Sequence, residues 1–182
     1  MPKITAAGHP LHPQLVGFPI GLLPFSFAMD VCAAVTGKRS FADAAYYSLI
    51  GGIATAGLAA GAGAIDYFGI PPRTEEKRLA NTHALLNLAV VSLETYSLVR
   101  RSRKRSRSSR LATALSGICF GGLLVSQWFG GQLVYEHGVR VKGREDFSGQ
   151  RDFRAAGDEK LEQGMHRISE KFPDRGPEEL AG

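Results

Sequence analysis

The chain has 182 residues, enough for one ordinary domain. Its 22 Lys and Arg outnumber 17 Asp and Glu, giving a formal net charge of +5, and its two cysteines exclude a disulfide framework. Apolar residues crowd the stretch from 15 to 135 while the last 43 residues are strongly polar, so a near-zero mean hydropathy hides a membrane-like middle.

A helix needs about 20 mostly apolar residues to cross the hydrocarbon core. The N-terminal MPKITAAGHPLHP carries no cleavable signal pattern, so the first apolar run is expected to remain as a span. That run, 16–35, is interrupted only by Asp30, and Pro19 and Pro24 should bend its outer half. The second span, 44–65, is uncharged. Its Gly57 and Gly61 form a G-x-x-x-G pair extended by Gly52, Ala56 and Gly63, a face suited to close helix packing, a flat cofactor or a homodimer. The third, 82–99, is weaker because it contains His83, Asn87 and Glu94. The fourth, 111–135, is uncharged and has glycine notches at Gly121, Gly122, Gly130 and Gly131. Cys32 and Cys119 fall inside apolar segments and read as small buried residues.

Short links between consecutive spans force antiparallel neighbours. The expected architecture is therefore all-α: a four-helix transmembrane bundle, up-down-up-down, over residues 1–142. A polar tail follows at 143–182, mostly disordered apart from a short helix near 158–172. Seven Lys and Arg lie between Arg100 and Arg110, in the link between spans three and four. A basic run placed between apolar segments reads as a cytoplasmic topology determinant, not a nucleic-acid site. Both termini then lie outside the cytoplasm of a bacterial inner membrane.

This topology sends His9, His12, His83 and His137 to the outer face, with Asp66 and Glu136 beside them. Histidines from different helices can ligate a metal or a haem iron, and a carboxylate can orient a ligand ring. His83 is the best single ligand candidate, with His12 or His137 as the second. The competing readings are a hydrogen-bonded latch between helix ends and proton handling. Asp30 and Glu94 each lie five residues before the inner end of a span, so they are expected at one depth. No Lys or Arg lies within the four spans to neutralise them. They would share a proton if they met.

One family resemblance rests on particular residues. His9-Pro10-Leu11-His12-Pro13 leads into Phe18-Pro19-Ile20-Gly21, then Asp30, Asp66 with Ile70-Pro71, and His83 with Asn87. The run from Gly130 to Gly138, GGQLVYEHG, closes the set. Together these resemble the bacterial membrane proteins grouped as domain of unknown function 2231, over roughly residues 8–142. The resemblance implies a four-span membrane protein. Some members are fused to Rieske iron–sulfur domains, which implies a redox setting, although this chain lacks the paired Cys-His motifs of such a cluster. The combined expectation is a non-enzymatic redox module, with haem b at the outer face and an outer electron-transfer partner. The alternatives are a structural protein with a histidine latch and a small proton-coupled transport component using Asp30 and Glu94.

Overall fold

The computed structural model describes residues 5–6, 9–103 and 109–139, with a few isolated residues between 160 and 171. The basic segment 104–108 and nearly all of the tail, including His166, lie outside the described residues. A two-residue antiparallel pair, β1 (Thr5–Ala6) with β2 (His9–Pro10), precedes four helices. These are α1 (Leu11–Thr36), α2 (Arg39–Phe68), α3 (Glu75–Arg103) and α4 (Arg110–Tyr135).

At about 1.5 Å per residue, each helix is roughly 40 Å long, more than the hydrocarbon thickness of a bilayer. By length and composition, α1, α2 and α4 can each cross a membrane. Helix α3 is as long, but its ends are charged. Every helix packs against its neighbours in sequence, and α1 closes the ring against α4. Helices α1 and α3 therefore stand diagonally opposite and run the same way. The α1–α2 contact is the most extensive and the α2–α3 contact the thinnest, so the bundle is two helical hairpins set side by side.

The distribution of side chains is inverted relative to a water-soluble bundle. Phe18, Phe25, Leu58, Leu88, Ile118 and Leu124 face outward, each at least 48 % exposed. The interior holds Ser26, Asp30, Thr82, Glu94, Ser97, Ser116 and Ser126, none above 2 %. Lipid solvates large apolar groups, while backbones and small polar residues pack inside. Two apolar clusters complete the interior: Leu23, Leu49 and Leu123 midway, and Leu79, Ala80, Phe129 and Leu133 towards the end where α3 begins.

Several boundaries differ from the sequence expectation. Helix α1 continues through both Pro19 and Pro24. The link between α1 and α2 shrinks to Gly37 and Lys38. Gly37 closes α1 with φ 69°, a left-handed conformation that costs glycine nothing, and its N–H donates to Ala33 O. Asp66 lies in the last turn of α2. Helix α3 runs beyond the expected 82–99 at both ends and takes Arg100 and Arg101 into the helix. Arg100 lies back along α3, its Nη1 3.1 Å from the hydroxyl of exposed Tyr96. Such an amphipathic Tyr–Arg pair suits the end of a membrane helix.

Candidate functional site

His12 is the second residue of α1. Its Nδ1 lies 2.8 Å from Ala59 O on α2, and its ring covers Gly63, where a Cβ would come within 2.9 Å of Cε1. His83, in the third turn of α3, repeats the arrangement against α4. Its Nδ1 lies 2.7 Å from Ser126 O, and its ring covers Gly130, where a Cβ would again meet Cε1 at 2.9 Å. In both cases the carbonyl and the glycine are four residues apart, one turn of helix. A carbonyl only accepts, so each Nδ1 must donate, and the lone pair of each neutral ring is on Nε2.

The repeat extends along both hairpins. Buried positions of α1 and α3 correspond at one constant offset: Pro19 with Val90, Leu23 with Glu94, Ser26 with Ser97, Asp30 with Arg101. Those of α2 and α4 correspond at another: Ala45 with Ala112, Leu49 with Ser116, Gly52 with Cys119, Ala59 with Ser126, Ala62 with Phe129. His12 and His83 are thus equivalent residues on diagonally opposed, parallel helices. Their surroundings differ in two respects. Asn87 Nδ2 lies 3.1 Å from His83 Nε2, and Ser126 Oγ lies 3.1 Å from His83 Nδ1. Nε2 of His12 has no partner among the described residues.

His137 does not join this pair. His137 follows α4, and its Nδ1 lies 3.1 Å from Glu76 Oε1 at the start of α3. Glu76 is held below the usual carboxylate range. The backbone N–H at the helix start is the largest cause, with Thr74 and His137 adding to it against partial burial. His9 pairs through its backbone with Ala6, and its side chain lies outside the described residues. Glu136 accepts a hydrogen bond from Gln132 at 2.9 Å on an exposed surface. Glu76 thus meets a histidine, a contact that sequence reasoning missed because it weighed only Glu136 and Asp66. Near the same end, Lys77 Nζ lies 3.5 Å over the Tyr67 ring, and Tyr67 OH donates to Asn81 Oδ1 at 2.8 Å. No group of three or more His, Cys, Asp or Glu with metal-binding geometry occurs among the described residues.

At the opposite end the structure overturns the expectation of two unneutralised carboxylates. Asp30 is bound by Arg101, with Nη1 to Oδ1 at 2.9 Å and Nη2 to Oδ2 at 2.6 Å, and Ser116 Oγ donates to Oδ2 at 3.1 Å. Arg101 also donates from Nε to Ser97 Oγ at 3.2 Å. The pair is buried, with side chains 0 % and 2 % exposed. Arg101 belongs by sequence to the basic cluster, but α3 continues far enough to turn its guanidinium inward. The missed signal was spacing: Arg101 follows His83 by the same eighteen residues that separate Asp30 from His12. Eighteen residues of helix span about 27 Å, so histidines and ion pair occupy opposite ends of the bundle. Glu94 lies two helical turns from Arg101 towards His83, its Oε2 without a hydrogen-bond partner and its carboxyl beside the Cys119 thiol.

The glycine-rich face of α2 divides between two environments. Gly52 and Gly63 pack inside against Leu23 and His12, whereas Gly57 and Gly61 meet nothing within 4 Å. The G-x-x-x-G pair is thus on the outer surface and contributes no packing within the bundle.

A bundle with apolar side chains outside and polar ones inside, built from helices long enough to cross a bilayer, defines an all-α integral membrane protein. The chain belongs to the family described as "Predicted membrane protein (DUF2231)", whose model matches residues 8–143. No curated protein and no solved structure is detectably similar to it.

Proposed function

We propose that this protein is a membrane redox module that holds a b-type haem between His12 and His83. The observation that carries this reading is the equivalence of the two histidines. Both stand on diagonal helices, both donate Nδ1–H to a backbone carbonyl, and both lie over a glycine. A bis-imidazole iron needs two Nε2 lone pairs with fixed ring orientation, and a second hydrogen bond at Nδ1 supplies that orientation. Gly63 and Gly130 admit the rings close to the neighbouring backbones. Ligation by His83 requires Asn87 to give up its contact with Nε2 and keep its bond to His83 O. Bound iron would supply one-electron chemistry, and the chain would supply the ligands, the apolar surroundings and a position near the outer surface for an electron-transfer partner.

The orientation belongs to the same proposal. The basic segment around Arg100–Arg110 faces the cytoplasm of a bacterial inner membrane, all four helices cross, and both termini lie outside. The outward Gly57 and Gly61 support a homodimer through α2. Gly61→Leu should then shift the detergent-solubilised protein from dimer to monomer in light scattering.

The test is a visible absorption spectrum of protein purified from haem-replete cells, or reconstituted with hemin. The expected result is a Soret band of low-spin bis-imidazole haem, lost in both His12→Ala and His83→Ala and retained in His137→Ala. A protein that stays colourless after hemin addition overturns the haem reading. The Asn87–His83 contact then favours the second reading, a hydrogen-bonded latch that joins each hairpin at its outer end. The proton-coupled transport reading keeps Glu94 alone, because Arg101 engages Asp30. Reconstituted vesicles in which Glu94→Gln abolishes proton or solute flux would support it.

A further inference from the structure

We propose that Glu94 is a proton-binding site inside the bundle, a carboxyl that takes up and releases a proton without a permanent counter-ion. The site is independent of what His12 and His83 hold. In the repeated hairpins Glu94 stands where the first hairpin has Leu23, so an apolar position in one half has become an acid in the other. Its residue is 2 % exposed, and its Oε2 has no hydrogen-bond partner.

The charged and titratable groups that face Glu94 come from three helices. Arg101 lies on its own helix, Asp30 on α1 and Cys119 on α4. From α2 the neighbouring interior is apolar, with Leu49 and Ile53 packed in the cluster around Leu23 and Leu123. Arg101 is the single cation of this set, and it directs both terminal nitrogens to Asp30 and its Nε to Ser97. The Asp30–Arg101 pair is neutral in sum, so the attraction of Arg101 for a charge on Glu94 is opposed by Asp30 and offsets its burial only in part. A carboxylate desolvated without a partner is costly, whereas a proton removes the charge and gives Oε2 a donor to use. Seven residues of helix place Glu94 about 10 Å outward of Arg101. The ion pair and its serines, Ser97 and Ser116, thus lie between the carboxyl and the inner surface, and a proton would travel past them.

The experiment is infrared spectroscopy of the whole protein in detergent or lipid, with the C=O stretch of protonated carboxyls followed from about pH 5 to about pH 10. The expected result is a protonated-carboxyl band that moves to lower frequency in D2O, fades as pH rises, and is missing from Glu94→Gln. Glu94→Asp should restore a band at a changed frequency, which separates loss of the acid from loss of the fold. The proposal is overturned if the wild-type band persists unchanged in Glu94→Gln, or if no protonated carboxyl exists at any pH in that range. The measurement needs no cofactor, so a colourless protein leaves it intact.

Discussion

The Asp30–Arg101 pair gives the sharpest test of how the two hairpins are joined. Asp30→Asn leaves a guanidinium buried without its anion, and Arg101→Met leaves a carboxylate buried without its cation. Removing one member of a buried pair costs about 3–5 kcal/mol, whereas an exposed pair is worth about 0–1 kcal/mol. With side chains 0 % and 2 % exposed and three hydrogen bonds on the Asp30 carboxylate, the larger range applies. Each single change should therefore lower stability by about 3 kcal/mol, more than a hundredfold in the unfolding equilibrium. In Asp30→Asn/Arg101→Met both charges are gone, and the double variant should lose less than the sum of the singles by about 2 kcal/mol. Reversible unfolding of the micellar protein, followed by the fluorescence of its one tryptophan, Trp128, measures all three. Single-variant losses below about 1 kcal/mol, or strict additivity in the double, would show that water reaches the pair and that it does not tie α1 to α3.

Glycine substitutions should separate inner from outer faces. Gly63→Ala and Gly130→Ala each drive a Cβ to 2.9 Å from a histidine ring and should cost about 1–3 kcal/mol. Gly57→Ala and Gly61→Ala meet open space and should change stability of the isolated protomer by less than about 1 kcal/mol, in the stabilising direction; equal losses at all four would refute the assigned helix rotation. For pH, Glu76 has its folded pKa lowered, so its contribution is present above the ordinary carboxylate range and lost as pH falls through the folded value. Glu76→Gln should remove that acid-side loss in a pH-dependent melting series, and an unchanged profile would contradict it. For orientation, a phosphatase fused after His137 should be active and one fused at Arg105 inactive; the opposite pattern would move the histidines to the cytoplasmic face.

The four helices were legible because lipid demands long apolar runs, and the runs survive as blocks of sequence. That His12 and His83 share one end of the bundle followed from their distance to a span end. Their directions did not. Nothing in hydropathy shows that His12 and His83 turn towards carbonyls of α2 and α4 while His137 turns towards Glu76. Arg101 was hidden by its neighbours. Surrounded by six other basic residues, it reads as a charge held in cytoplasmic water, and only the continuation of α3 turns it towards Asp30. Gly57 and Gly61 misled in the opposite direction, because a small-residue motif specifies close approach without saying to what.

The turn of two residues at Gly37 and Lys38 makes the first two helices a unit. So short a connection commits α1 and α2 to one antiparallel pair, and within that pair His12 sits on Ala59 and Gly63. The second pair seats His83 in the same manner against its own neighbour. Each imidazole is thus held within its own half, while Asp30 of the first half meets Arg101 of the second at the other end of the bundle.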